Sequence, residues 1–209
     1  MPKIDITQRL EKSLNAAFAT NDLHRICRAI DAAVLDSPSI IGVAQDAGID
    51  RTTLYRAFRC EKGPALNTMI NVLRALGFHL IVQTNRQRAI NPKNRRPRDV
   101  RALYKRGADA KATARLLTVA FKGRELHLIV EALAETLYAQ ENIAEVARKT
   151  IRPRETLYRS FTAPRIPRFS TVLSFLDALE LQFAVKKRPS GDKSIRPGLR
   201  SRFRSQRMN

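Results

Sequence analysis

Residues 40–59 read IIGVAQDAGIDRTTLYRAFR. Ser39, just before them, and Asp50, within them, are side chains that accept hydrogen bonds from the first amides of a helix. Gly48, between them, tolerates the left-handed backbone that ends one. The stretch predicts a short helix from Ile40 to Ala47, a tight turn at Gly48, and a second short helix from Arg51 to Arg59. Two helices crossing this closely need a small residue at the crossing and an apolar residue facing it. Ala44 and Leu54 supply these, and Val43 and Ile49 complete the small core. That is the pattern of a helix-turn-helix. With Leu54 inward, Arg51, Thr52, Tyr55, Arg56 and Arg59 face outward. The N-terminal end of such a helix enters the major groove of DNA, where arginine bonds guanine O6 and N7. The alternative is a charged outer face of a small helical bundle. For Tyr55, half-buried packing competes with a phosphate or base contact.

The string TLYR at Thr53–Arg56 recurs at Thr156–Arg159, an offset of 103 residues. At that offset, Leu14 to Val82 align without a gap on Leu117 to Val185, with 22 identities in 69 pairs. The chain is therefore two copies of one module. Each copy reads as helical. Leu23, Ile26, Cys27, Ile30 and Val34 form one amphipathic stripe behind a cap at Asp22; Leu126, Ile129, Val130, Leu133 and Leu137 repeat it. Leu10, Leu14 and Phe18 form a shorter stripe before it. After the Gly63-Pro64 break, Asn67 is expected to cap a helix through Leu76 that Gly77 closes, and Phe78–Val82 suits a short strand. The second-copy equivalents are Asn142, Pro153, Ser170 and Leu181–Val185. Its outward set is Arg154, Glu155, Tyr158 and Arg159, with Arg152 just before. Glu155 either accepts from cytosine N4 or is a solvated helix residue. Ile151 stands where Gly48 did, and isoleucine at positive φ is strained, so an altered turn is expected there.

The expected fold is mainly α: two tandem five-helix helix-turn-helix modules, each able to end in a short strand. The modules fall at residues 1–85 and 112–186, with a basic linker at 86–111 and a basic tail at 187–209. The 209 residues carry 39 Lys or Arg against 19 Asp or Glu, a net charge of +20, yet are 44% hydrophobic. Such a chain is too apolar for a disordered tail and so positive that it calls for a polyanionic partner. The charge is uneven. Residues 86–111 carry ten basic and two acidic side chains, and residues 186–209 carry nine and one, whereas each helical segment is near balance. Arg95, Arg96 and Arg98 in the linker and Arg200, Arg202 and Arg204 in the tail read as phosphate-binding arms, against the alternative of solvated, disordered segments.

Other constellations are weak. Two cysteines without a CxxC give neither a disulfide framework nor a zinc site, and fit a reducing compartment. His24 and Cys27 lie at i and i+3, but the second copy keeps His127 with Val130, so a partly buried structural histidine is the better reading and no metal is expected. Cys60 has only a weak reason for a lowered pKa. No catalytic triad, phosphate loop or carboxylate pair stands out, so neither an enzyme nor a cofactor is expected. No apolar run is long enough for a membrane span, and no signal peptide is seen. A cytoplasmic, nucleoid-associated protein is the expectation.

The run PSIIGVAQDAGIDRTTLYRAFRCEKGPALNTMINVLRALGFHL, residues 38–80, resembles the addiction-module antidote proteins. These are small antitoxins with a Cro/C1-type helix-turn-helix, paired with a RelE-like toxin. Ala44, Gly48, Leu54-Tyr55 and Val72–Gly77 carry the likeness. The second copy follows more loosely, in VARKTIRPRETLYRSF (146–161) and FSTVLSFLDALEL (169–181). The resemblance implies binding to double-stranded DNA, transcriptional autorepression and neutralisation of a RelE-like toxin. The departure is the duplication, since these antidotes have one module per chain and dimerise. It implies a monomer with internal pseudo-symmetry, higher oligomers remaining open. Two competing readings stay open: a toxin-holding interaction module, and a non-specific nucleic-acid-binding protein acting through linker and tail.

Residues 45–65 carry four basic and three acidic side chains, but the equivalent 148–168 carry seven and one. Neutralising Arg152, Arg154 and Arg159 is therefore expected to lower DNA affinity, and the steepness of its salt dependence, more than neutralising Arg51 and Arg56. Equal salt slopes for the two sets, measured by titration, would contradict this.

Overall fold

The computed structural model describes residues 6–59, 61–85, 109–123, 125–162 and 164–188. The first copy folds as α1 (Ile6–Ala19), α2 (Leu23–Leu35), α3 (Ile40–Asp46), α4 (Arg51–Arg59), α5 (Leu66–Ala75) and β1 (Phe78–Thr84). The second repeats the order as α6 (Ala110–Lys122), α7 (Leu126–Tyr138), α8 (Ile143–Thr150), α9 (Arg154–Ser160), α10 (Phe169–Ala178) and β2 (Leu181–Lys187). The protein is mainly helical, and each repeat ends in a strand. Local chemistry sets several helix starts. Asp22 accepts from the Arg25 amide, Asp109 from Ala112 and Asn142 from Glu145. The apolar stripes turn inward: Ile26, Ile30 and Val34 of α2 are buried, as are Ile129, Leu133 and Leu137 of α7.

The two strands pair with each other, antiparallel, in a two-stranded sheet. Ile81 faces Ala184, its own equivalent at the 103-residue offset, so a pseudo-two-fold axis passes between them. A second point on that axis is the bridge between Ala65 and Arg168, again equivalent residues. Flanking hydrogen bonds obey the same symmetry. Leu66 N donates to Pro167 O and Phe169 N to Pro64 O; Asn85 N donates to Glu180 O and Arg188 N to Gly77 O.

The first helix of each copy packs on the strand of the other: α1 on β2 and α6 on β1. Here the sheet's outer edges are closed. The Asn15 amide donates to Val185 O (3.0 Å) and accepts from Val185 N (2.8 Å). The Thr118 hydroxyl, at the equivalent position, accepts from Val82 N (2.9 Å) and donates to Val82 O (2.9 Å). A small sheet with open edges invites pairing with foreign strands, and these side chains occupy the centre of both edges. Both copies share one continuous core. At its centre Phe183 of β2 stacks on Phe169 (5.4 Å) and meets Phe121 of α6 edge-on (5.1 Å), while Phe18 of α1 meets Phe169 edge-on (6.3 Å). Each such ring contributes roughly 1.5–3 kcal/mol through burial.

Three expectations need correction. Asn67 and Ser170 do not cap α5 and α10, which begin two residues earlier than such caps would set, after Ala65 and Arg168, with no side-chain cap. Their first amides are satisfied across the seam by Pro167 O and Pro64 O of the opposite copy. The strands run two residues further than expected, to Thr84 and Lys187, because each extends along its partner's ladder. Third, the turn at Ile151 is not altered. Ile151 adopts φ 54 and ψ 41, the left-handed conformation of Gly48 (φ 68). The turn closes identically in both copies, by Ile49 N to Ala44 O (3.0 Å) and Arg152 N to Ala147 O (3.1 Å). The Ile151 side chain is 92% exposed, so no packing compensates its strain.

Two outcomes follow from this geometry. Ile151→Gly should raise the unfolding free energy by about 1 kcal/mol, since relief of a strained left-handed residue exceeds the added chain entropy. Chemical denaturation measures it, and a destabilised variant would refute the strain. Thr118→Val should cost about 1–3 kcal/mol by leaving the Val82 amide and carbonyl unpaired. Both halves should still unfold in one transition, because neither completes its core alone. Separate transitions for the two copies would refute the interlock.

Candidate nucleic-acid interface

In the first copy, Ser39 Oγ accepts from Gly42 N (2.9 Å) and starts α3. Asp50 starts α4, accepting from Thr53 N (2.8 Å) and from the Thr53 hydroxyl. The hydroxyl bond, followed by the amide bond, holds the Asp50 carboxyl below its ordinary range. A carboxylate whose folded pKa lies below its unfolded value contributes stability above about pH 4, which is lost as pH falls further. Val43, Ala44, Leu54 and Phe58 are buried between the helices. That leaves Arg51, Thr52, Arg56 and Arg59 exposed on the outer face of α4, with Tyr55 half-buried beneath them.

Tyr55 organises that face. The guanidinium groups of Arg51 and Arg59 sit over its ring at 5.6 and 5.1 Å, and Arg51 also reaches the Tyr55 hydroxyl (3.5 Å). Cation–π contacts of this kind are worth about 0.5–1 kcal/mol at exposed sites, enough to bias rotamers without immobilising them. Arg59 is also paired with Asp31 of α2 (3.4 Å). Part of its charge is thereby answered within the protein, which sets it apart from Arg56. Asp31 lies 28 residues away in sequence, and no local pattern announces the pair.

The second copy presents a related but different face. Val146, Ala147 and Leu157 are buried in the expected roles. Arg154, Glu155 and Arg159 are exposed on α9. Pro153 occupies the position of Asp50 and provides no side-chain cap. Tyr158 is half-buried like Tyr55, but its neighbour is a ring: Tyr138 at the end of α7 lies 5.4 Å away, tilted by 30°. Arg152 stands where Ile49 packs in the first copy, is half-buried, and keeps its Nε buried without a hydrogen-bond partner. It is set back from the outer face on which Arg154 and Arg159 stand. Arg148 and Lys149 are engaged with Glu145 (2.7 and 3.8 Å), so two of the seven positive charges of residues 148–168 are partly answered. The Arg148 hydrogen bond holds the Glu145 carboxyl below its ordinary range.

Sequence reasoning passed over Arg165 and Arg168 as individuals, counting them only in the net charge. Both are exposed in the loop between α9 and α10. The arm residues Arg95, Arg96, Arg98, Arg200, Arg202 and Arg204 lie outside the described residues, as does Cys60. Cys27 is buried, which pushes its thiol up to about 11; His24 and His127 are exposed at the starts of α2 and α7, not partly buried as expected. Among the described residues no three His, Cys, Asp or Glu gather as a metal site, and no helix is long and apolar enough to cross a membrane.

The sequence model of the family described as probable addiction module antidote protein matches the chain twice, over residues 2–84 and 105–187. No curated protein and no solved structure matches it. The two matches fall on the two structural copies and together cover most of the chain. The chain belongs to the addiction module antidote family and carries the family's unit twice over.

Proposed function

We propose that the protein is a sequence-specific regulator of transcription, of antitoxin type, that binds double-stranded DNA as a single-chain pseudo-dimer. One observation carries this reading. A pseudo-two-fold axis through Ile81–Ala184 relates two turn-linked helix pairs, each presenting exposed arginines on its second helix. In this reading α3–α4 and α8–α9 are helix-turn-helix motifs, and α4 and α9 enter successive major grooves. Arg51, Thr52, Arg56, Arg154 and Arg159 reach base edges or flanking phosphates, while Tyr55 and Tyr158 hold the arginines and the helix in register. Arg59, tied to Asp31, contributes less, and Arg152 acts from a half-buried position. The arms of the linker and tail add affinity through phosphate neutralisation. The site is one for binding rather than catalysis, and it acts in the cytoplasm on the nucleoid.

Membership of an antidote family favours a second activity beside the first, neutralisation of a toxin partner, for which a RelE-like protein is the candidate. Co-purification of a small RelE-like protein expressed with this chain would support it.

Selection from a random pool of duplex DNA tests the main reading. The expected result is a bipartite motif whose half-sites lie about one helical turn, roughly 34 Å, apart. The half-sites should differ in sequence, because Arg51-Thr52 opens one recognition helix and Arg154-Glu155 the other. Absence of enrichment would defeat sequence-specific binding and favour a non-specific nucleic-acid-binding protein.

A further inference from the structure

Beside α9 the second copy forms a cleft of about 240 Å³ whose polar lining is Thr156, Arg159, Ser160, Arg165, Arg168 and Thr171, beside Ile166 and Pro167. Three arginines and three hydroxyl residues line it, with no carboxylate, and the Ser160 hydroxyl donates to Thr156 O (2.7 Å). The cleft joins two parts of the molecule already placed. Thr156 and Arg159 belong to the proposed recognition helix, and Arg168 forms the bridge with Ala65 on the pseudo-two-fold axis. The Arg168 guanidinium donates across the seam to Gly63 O (3.2 Å), which fixes its stem at the axis. The first copy has no counterpart of equal charge. Its equivalent positions are Thr53, Arg56, Ala57, Lys62, Ala65 and Thr68, and the Thr53 hydroxyl is engaged by Asp50.

We infer that this cleft is a binding site for one phosphate group, the phosphodiester of a DNA backbone lying between the two half-sites. The inference rests on the DNA-binding reading and adds to it a fixed, one-sided anchor. A guanidinium presents paired N–H donors matched to phosphate oxygens, and the Thr156 and Thr171 hydroxyls supply further donors. A site between recognition helix and axis meets the backbone where it passes from one major groove to the next. Such a contact fixes the register of the protein on the duplex and carries no sequence information of its own.

The test compares full-length protein with Arg165→Ala, with Arg165→Ala/Arg168→Ala, and with Arg115→Ala, which removes an exposed charge on α6. Arg165→Ala alone leaves the Arg168–Gly63 contact across the seam in place. Affinity for the selected duplex and for a scrambled one is measured across a salt series. Loss of one phosphate contact should lower the slope of log affinity against log salt by about one and weaken both duplexes alike, roughly tenfold. The motif selected from a random pool should stay the same. Phosphate-ethylation interference should show one sensitive phosphate near the centre, on the second copy's side, that vanishes in the double variant. An unchanged slope in both cleft variants, or an equal change in Arg115→Ala, would overturn the cleft while leaving the DNA-binding reading intact. Failure of the unsubstituted protein to bind any duplex would overturn both. Inorganic phosphate, titrated at constant ionic strength, separates the sources. Saturable phosphate binding lost in the double variant, with duplex affinity unchanged, would assign the cleft to a free anion and overturn the backbone assignment.

Discussion

The antiparallel pairing of β1 with β2 is the constraint on which the molecule depends. Each copy ends in a seven-residue strand that has no partner within its own copy. A lone strand leaves a row of amides and carbonyls unsatisfied, so each strand needs the other. Once Ile81 faces Ala184, the remaining geometry follows. The opposite first helices lie over the two strands and close their edges through Asn15 and Thr118. The loops before α5 and α10 meet at Ala65–Arg168 and cap each other's helices. The paired short helices on either side are then held in one relation to a common axis.

Around that axis the copies have diverged in a patterned way. Positions on the inner faces keep their character: Phe18 and Phe121, Leu54 and Leu157, and Leu73 and Leu176 are all buried. Change is concentrated in the turns and on the outer faces. The second copy tolerates Ile151 and Glu180 at left-handed positions where the first uses Gly48 and Gly77. Backbone hydrogen bonds hold both turns in place, from Ile151 N to Arg148 O and Arg152 N to Ala147 O at the first, and from Glu180 N to Asp177 O and Asn85 N to Glu180 O at the second. The outer faces have changed their supports as well, from two guanidinium groups over Tyr55 to a second ring against Tyr158.

What the sequence made legible was local. The amphipathic stripes, the caps at Asp22, Ser39, Asp50 and Asn142, and the inward set Ala44, Leu54 and Leu157 depend on residues a few places apart, and periodicity and side-chain chemistry reveal them. The internal repeat added the equivalences that make the pseudo-symmetry readable. What it hid was non-local. The amides of Leu66 and Phe169 find carbonyls about a hundred residues away, so the local candidates Asn67 and Ser170 misled. The exchange of first helices, the Arg59–Asp31 pair and the gathering of Arg165 and Arg168 beside α9 likewise depend on packing between segments distant in sequence. The turn at Ile151 went the other way, because residue preference argued against a conformation that two backbone hydrogen bonds enforce.

The meeting of unlike residues on the axis has a consequence for assembly. In a dimer of identical subunits, a residue on a two-fold axis must face itself, and an arginine there repels its twin. Here Arg168 faces Ala65, and the larger Ile81 faces the smaller Ala184. The seam has become a lock with two different sides, held closed by covalent connection. A dimer of separate subunits falls apart on dilution and can trade partners with related chains. Here the second strand is supplied by the same chain, which makes closing the seam an intramolecular step. Its two ends remain distinguishable, so the molecule has a direction that a symmetric dimer lacks.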